Sequence, residues 1–276
     1  MNKNKYPKIT VVTPSFNQVD YIEDCIQSVL NQNYPNLEYI IIDGGSCDGT
    51  INVIEKYKKH ITFFISERDT GQYNAINKGF NHASGKYLTW LNSDDMFKKN
   101  TLLNISEILI KYPQIDWITG AKMFYSSDGE IELVANQIPY YSTFIRMGFY
   151  VGNLFGWIQQ EGTFWSKDLW MKAGPLRENL FYASDFCLWK EFAKYSNLFT
   201  VNTIFAGNRH HSKQKTEKLF GAESYIQEAL STNYKLFKFL AINRFTAKII
   251  QNVSKCLPAK NIINFDTMRK DWFIEK

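Results

Sequence analysis

The 276-residue chain is short of cysteine: it has four, and Cys25, Cys47, Cys187 and Cys256 stand far apart with no close pair. Neither a disulfide framework nor a thiolate zinc site has the spacing it needs, and the pattern suits a reducing cytoplasm. Long apolar runs are missing as well. A membrane-spanning helix needs about 20 apolar residues, and the most apolar stretch, Phe144 to Ile158, is broken by Arg146, three glycines and Asn153. The N-terminus, MNKNKYPKITVVTPS, has lysines but only a five-residue strand-like run before a proline, too short for a signal-peptide core, so secretion is not expected. The usual phosphate loops are absent too. There is no G-x-x-x-x-G-K-[ST], and no G-x-G-x-x-G follows the first strand, which disfavours P-loop and NAD chemistry. No internal repeat and no low-complexity tract interrupts the chain.

What is present bounds the class. With 45% hydrophobic and 16% aromatic residues, the chain can bury a full core, as one large domain or one domain with an appendage. Its net charge of +5 is unevenly placed: residues 231 to 276 hold nine Lys/Arg against three Asp/Glu, net +6, and the preceding 230 residues carry net −1. The basic character belongs to the C-terminal tail. That points to an acidic surface there and argues against a nucleic-acid groove across the body.

From Ile9 to Tyr125, short β-branched or aromatic runs alternate with longer helical patterns, the signature of a parallel sheet with crossover helices. The pattern predicts strands at Ile9 to Thr13, Glu38 to Ile42, Ile61 to Ser66, Tyr87 to Leu91 and Trp117 to Phe124. Helices are predicted at Tyr21 to Asn31, Thr50 to Lys58, Gln72 to His82 and Thr101 to Lys111, and a hairpin turn at Tyr125 to Glu130. After Ile131 the alternation stops. A strand near Gly162 to Trp165 and a helix from about Asp185 to Tyr195 are expected in a half that packs against the first and completes a cleft, outside the repeating layer.

Polar clusters fall just after the predicted strands: Thr13-Pro-Ser-Phe-Asn17, Asp43-Gly-Gly-Ser-Cys-Asp-Gly-Thr50, Glu67-Arg-Asp-Thr-Gly71 and Asn92-Ser-Asp-Asp95. In an open α/β sheet that edge binds ligands, with carboxylates for ribose or base and turn amides for phosphate. In this order and at these spacings, with a later Q-Q-x-x-T-F-W and A-x-D-F-x-L-W, the motifs resemble the family 2 glycosyltransferases, an inverting group with a GT-A type nucleotide-sugar fold. The resemblance runs from Ile9 to about Thr216.

That resemblance implies a set of roles. Asp43 matches the nucleoside-binding acid, with Thr13, Pro14 and Ser15 as the other wall and Asn17 in the same turn; the competing reading is that Asp43-Gly-Gly is only a tight turn. Asp69, Gln72 and Lys78 would lie near ribose and phosphates, although Lys78 equally reads as a solvated helix residue. Two adjacent carboxylates at a strand end, Asp94 and Asp95 after Asn92 and Ser93, suit a hard cation, Mg2+ or Mn2+, completed by substrate phosphates. The family often has an acid where Asn92 stands, so either carboxylate could be the one on the ion. The competing role for the pair is helix capping, for which Asn100 is better placed. His211, in the late Gly207 to Lys215 loop, would approach the metal or the diphosphate. Asp185 matches the family's late acidic motif and is the candidate general base, though the helix dipole there would lower its pKa. Gln160 and Glu161 would line the acceptor side, with Glu161 the reserve base.

The expected organisation is a GT-A domain over 1–218, with a nucleotide-sugar half (1–130) and an acceptor half (131–218), followed by a basic helical extension over 219–276. On a helix, Arg244, Lys248 and Lys255 fall on one face and Phe239, Ile242, Ile249, Ile250 and Val253 on the other, a stripe that either lies on an anionic bilayer or docks on the core. The expected activity is metal-dependent, inverting transfer of a sugar, UDP-linked by preference, to a glycan or lipid-linked glycan in bacterial surface polysaccharide synthesis. It would take place in the cytoplasm or at the inner face of the plasma membrane. A sugar-1-phosphate nucleotidylyltransferase is the rival enzyme, but the glycine-rich loop it needs after strand one is replaced by Pro14-Ser-Phe-Asn. A non-catalytic nucleotide-sugar or glycan-binding module is the rival outside catalysis.

Overall fold

The structure, a computed structural model, describes residues 5–135, 138–151, 155–212, 214–215, 221–230 and 261–275. The first half builds the expected layer. Strands β1 (Ile9–Ser15), β2 (Leu37–Asp43), β3 (Phe63–Ser66) and β4 (Tyr87–Trp90) are joined by helices α1 (Ile22–Leu30), α2 (Thr50–Lys56) and α3 (Gln72–His82). They lie side by side in parallel, in the order β4-β1-β2-β3. The chain therefore winds outward from β1 to β3 and returns to its other side with β4. Ligand crevices open at such a switch point, beyond the carboxyl ends of the strands.

The period of two along each strand divides the core into two layers, one on each face of the sheet. Ile9, Val11, Tyr39 and Ile41 pack with Ile22, Cys25, Ile26 and Val29 of α1, while Val12, Ile40 and Ile42 pack with Tyr73, Ile76 and Phe80 of α3. The α3 contact is close because Gly79 has no side chain: a Cβ there would stand 2.4 Å from a Val12 methyl.

Helix α4 (Thr101–Lys111) has the predicted bounds. Asn100 precedes it in the left-handed region, φ 66°, and makes no side-chain cap. The hydroxyl of Thr101 instead donates to the carbonyls of Lys98 and Phe205.

The second half departs from expectation by joining the same sheet. Strand β9 (Thr163–Ser166) inserts antiparallel between β4 and β6 (Trp117–Thr119). Beyond β6 lie β10 (Phe199–Val201), β12 (Ile262–Asp266) and β13 (Asp271–Ile274), completing a nine-stranded sheet among the described residues. The predicted Trp117 to Phe124 strand is thus two strands. The chain leaves the large sheet at Gly120, and β7 (Met123–Tyr125) belongs to a smaller sheet in the order β5-β11-β7-β8, with β5 at Met96–Phe97, β11 at Ala206–Arg209 and β8 at Ile131–Val134. The hairpin turn over Tyr125 to Glu130 is present, joining β7 to antiparallel β8.

Short helices α5 (Ser142–Met147) and α6 (Lys167–Ala173) lead to α7 (Ser184–Phe192) and α8 (Gly221–Leu230). Trp189 of α7 stacks on Trp90 and Trp117, with ring centroids 5.8 Å and 5.6 Å apart, and meets Trp165 edge-on. This aromatic anchor fixes α7 to the middle of the sheet.

Among the described residues of the expected helical extension over 219–276, Gly221–Leu230 is helix and Ile262–Asp266 and Asp271–Ile274 are strands, where β12 runs parallel to β10 and pairs with β13 at the edge of the sheet. The amphipathic stretch carrying Arg244, Lys248 and Lys255 lies outside the described residues. Among the described residues no helix is long and apolar enough to cross a membrane.

Candidate active site

A cavity of about 960 Å³ opens at the carboxyl ends of β1, β2 and β4. It is lined by Pro14 and Ser15 from β1, Gly44 and Gly45 after β2, Asp69 and Gln72 before and in α3, and Asn92, Ser93 and Asp94 after β4. From the second half come Gln160, Glu161 and Asp185. Most residues expected at the site are therefore together on one surface.

Asp43, Thr13 and Asn17 are not among the residues that line this cavity. Asp43 is fully buried and does not line the cavity. Its carboxylate accepts hydrogen bonds from the backbone N of Gly45 and Ser46 at 3.0 Å and 2.8 Å and from the hydroxyls of Ser46 and Ser66 at 2.5 Å and 2.6 Å. Thr13 faces the core, its hydroxyl 3.2 Å from that of Tyr39. Asn17 stitches the first turn to the second: its backbone N donates to Ser46 Oγ, and its Oδ1 accepts from the backbone N of Cys47. Asp48 holds the same turn by accepting from Thr50 and Val19. These polar residues satisfy one another, so the turn geometry presents Gly44 and Gly45 to the cavity. Gly44 lies against Asp69, and a Cβ there would come 2.9 Å from a carboxylate oxygen, so the Asp69 side chain would have to shift. Asp69 itself accepts from the backbone N of Gly71 at 2.8 Å, and burial raises its pKa. Lys78 pairs with Glu67 at 2.7 Å and lies outside the cavity lining.

The two adjacent carboxylates separate cleanly. Asp95 is fully buried; its Oδ1 accepts from the backbone N of Arg209 at 3.0 Å and from Asn208, and its Oδ2 from Asn92 at 2.9 Å. Burial, with Asp94 and Glu161 nearby, holds its pKa well above the usual carboxylate range. It ties β11 to the end of β4. Asp94 turns the other way, lines the cavity, and meets His211 Nε2 at 3.0 Å. The imidazole is buried against Tyr21, ring centroids 4.3 Å apart, and its Nδ1 has no hydrogen-bond partner among the described residues. Behind it, Arg209 pairs with Asp24 of α1 at 2.7 Å and lies over the Tyr21 ring.

This donor set fits a divalent cation held only partly by protein. Among the described residues no group of three His, Cys, Asp or Glu is gathered as a metal cage. One carboxylate and one imidazole leave most coordination positions to ligand oxygens, the arrangement Mg2+ and Mn2+ accept at phosphate sites. Gln72, which donates to Asn92 Oδ1 at 2.7 Å, extends the polar wall beside them.

Across the cavity stands Asp185, in the first turn of α7. Burial outweighs the hydrogen bonds it accepts from the backbone N of Phe186 and from Tyr225, and its pKa is pushed up to about 7. The expected lowering by the helix terminus is thus overridden by desolvation. Gln160 donates to the carbonyl of Trp90 at 2.6 Å, and Glu161 accepts from Asn208 at 3.2 Å, with its pKa raised by burial.

Tyr225, Lys215, Asn208 and Arg68 also line the cavity, Arg68 from the cluster after β3 and Asn208 and Lys215 from the late loop of His211, and of the four only Tyr225 comes from a segment not expected there. Tyr225 belongs to α8, in the segment read as an appendage. Lys215 reaches Gln72 at 3.3 Å over the rings of Phe181 and Tyr73. Contacts separated by 40 to 143 positions leave no local signal in the sequence.

An open, mostly parallel sheet with this cleft at its switch point is the GT-A type nucleotide-sugar fold, and the solved structures agree. The S. aureus TarS 1-349 structure in complex with UDP-GlcNAc superposes with a TM-score of 0.61 at 15% identity, covering 90% of this chain and 79% of that one. The Pyrobaculum calidifontis mannosyltransferase PcManGT in complex with GDP-Man and Mn2+ gives 0.55 at 16%, covering 93% and 78%. The family model for glycosyl transferase family 2 matches residues 10–160, and the chain belongs to that family. TuaG of Bacillus subtilis, named for teichuronic acid biosynthesis, is 39% identical over 113 residues, 39% of this chain and 44% of TuaG. An uncharacterized glycosyltransferase of Rickettsia typhi is 27% identical over 219 residues, 78% of this chain and 68% of the relative.

Proposed function

We propose that this protein is an inverting glycosyltransferase that passes a sugar from a nucleoside diphosphate, UDP by preference, to a hydroxyl of a glycan or lipid-linked glycan. One observation carries the reading: Asp94, with His211 behind it, and Asp185, with its pKa near 7, line a single cavity at the switch point of the sheet. The turns after β1 and β2 and the start of α3 would hold the nucleotide. Asp94 and His211 would hold a divalent cation, which when bound supplies positive charge to the leaving diphosphate.

The protein's own part in the reaction is a single displacement. The acceptor oxygen bonds to the anomeric carbon from the face opposite the diphosphate, the bond from that carbon to the phosphate oxygen breaks, and the acceptor proton passes to the Asp185 carboxylate. A base with a pKa near 7 matches that transfer at neutral pH. Gln160 and Glu161 border the acceptor side. The UDP preference and the cation are supported by the ligands of the TarS and PcManGT structures, and a polysaccharide acceptor by the name of TuaG.

A panel of nucleotide sugars with manganese tests this, scoring free nucleoside diphosphate from wild type and Asp185→Asn. Release by wild type that is lost in the variant is expected. A nucleotidylyltransferase would instead release pyrophosphate from a nucleoside triphosphate, and a binding module would hold nucleotide without releasing anything; either result overturns the reading.

A further inference from the structure

Helix α8 lies beyond the family match, which ends at residue 160, yet it reaches the cavity through Tyr225. The Tyr225 hydroxyl stands 3.2 Å and 3.3 Å from the two oxygens of Asp185. Three positions on, Glu228 Oε2 accepts from the backbone N of Tyr182 at 2.7 Å, Ala183 at 3.0 Å and Phe181 at 3.2 Å. Those amides lead directly into α7, whose N-cap residue is Ala183 and has no side-chain cap of its own. A helix start leaves backbone donors unmet and favours negative charge; a carboxylate from another helix meets one of these donors, the Ala183 amide, and holds the two amides that precede it.

The clamp is itself held firmly. Ala229 and Leu230 are buried in the core, and a Leu230 methyl fills the space where a Cβ on Gly148 would be, 2.3 Å away. From α3, the Tyr73 hydroxyl donates to the Tyr182 carbonyl at 2.6 Å and accepts from the backbone N of Ser184.

We infer that Tyr225 and Glu228 are positioning residues for the transfer reaction: α8 clamps the start of α7 and sets the direction in which the Asp185 carboxylate faces the acceptor. The inference rests on Asp185 as the base. Among the described residues, Glu161, Lys215 and Tyr225 act on Asp185, Tyr73 and Cys187 on Tyr225, and Glu228 on Tyr73 beside them. Of these, Tyr225 donates to the carboxylate and favours its charged form.

The test has two arms that need no substrate. Carbon-13 titration of the Asp185 carboxyl should move its midpoint upward by about half to one pH unit in Tyr225→Phe, which keeps the ring and loses the donor. An unmoved midpoint overturns the role of Tyr225. Hydrogen exchange at the amides of Phe181, Tyr182 and Ala183 should be protected in wild type and at least about tenfold faster in Glu228→Ala. Unprotected amides in wild type, or unchanged rates in the variant, overturn the clamp, and this arm stands even if Tyr225→Phe does not fold. With a donor in hand, Tyr225→Phe should lower kcat about tenfold, leave donor KM within about twofold, and move the acid limb of the pH profile to higher pH. A profile and kcat identical to wild type contradict the inference. Absence of any transfer by wild type sinks the proposed function instead, and the first two arms still decide the clamp.

Discussion

The residues before Trp117 and those after it build one sheet by different rules. Up to β4, the strands β1, β2 and β3 pair in chain order, β4 returns to the free side of β1, every one of these pairs is parallel, and helices of regular period cover both faces. After it, β9 enters antiparallel between strands that precede it, and β12 reaches β10 across some sixty positions. The first half owes its shape to local patterning, whereas the second is placed by large side chains, Trp165, Trp189 and Phe192, packed on a surface already made. The site inherits the contrast: the proposed donor side is a row of turns at strand ends, and the proposed base side is a helix start held by another helix.

Disabling the base side is expected to have the largest effect. Asp185→Asn should lower turnover by about 10²- to 10⁴-fold with little change in donor affinity, measured by steady-state kinetics and calorimetry. Next comes the donor side, where the neighbours Asp94 and Asp95 should fail differently. Asp94→Ala should weaken manganese-dependent nucleotide binding about 10- to 100-fold and leave the melting temperature near wild type. Asp95→Ala removes the acceptor of hydrogen bonds from Arg209, Asn208 and Asn92, and should cost about 1–3 kcal/mol of stability in denaturant titration. Equal effects of the two substitutions on both readouts would erase the distinction between them.

A smaller effect, and a sharper one, concerns pH. With a pKa near 7, the Asp185 carboxyl is half ionised there, so kcat should fall about tenfold per unit below pH 6 and level off above pH 8. The same shift acts on stability with the opposite benefit. The folded state holds the proton more tightly than the unfolded state, so this group's contribution is full below the ordinary aspartate pKa and is lost as pH rises through 7. Asp185→Asn is therefore expected to melt higher than wild type at pH 8, with the gap closing at pH 5. The smallest expected effect is at the tail: deletion of residues 231 to 276 also removes β12 and β13, so substituting Arg244, Lys248 and Lys255 by Gln is the cleaner change. Lower flotation with anionic liposomes would support peripheral membrane contact, and equal flotation would end it.

Much of the first half was legible because its signals are local. Helices α3 and α4 have the predicted ends, and the clusters after β1, β2 and β4 do reach one edge. Within those clusters the sequence could not distinguish a residue that lines the cavity from one that holds the turn. Asp43 and Asp94 look alike in a string of letters, yet one is enclosed by Gly45, Ser46 and Ser66 and the other opens into the cavity. The split at Gly120 had a weak local signal, Gly-Ala-Lys interrupting the strand-like run from Trp117 to Phe124; Phe205 and the Thr203 carbonyl crowd Gly120 where the chain changes sheets. Tyr225 and Glu228 were invisible for a plainer reason, since their partners lie about forty-five positions away.

The most direct test is calorimetric titration of UDP and GDP into the full chain, with and without manganese, for wild type and Asp94→Ala. A cation held at Asp94 requires that manganese tighten binding of a nucleoside diphosphate to wild type and that the substitution abolish the gain. Binding to wild type that is indifferent to manganese, or a gain that survives in Asp94→Ala, would contradict it.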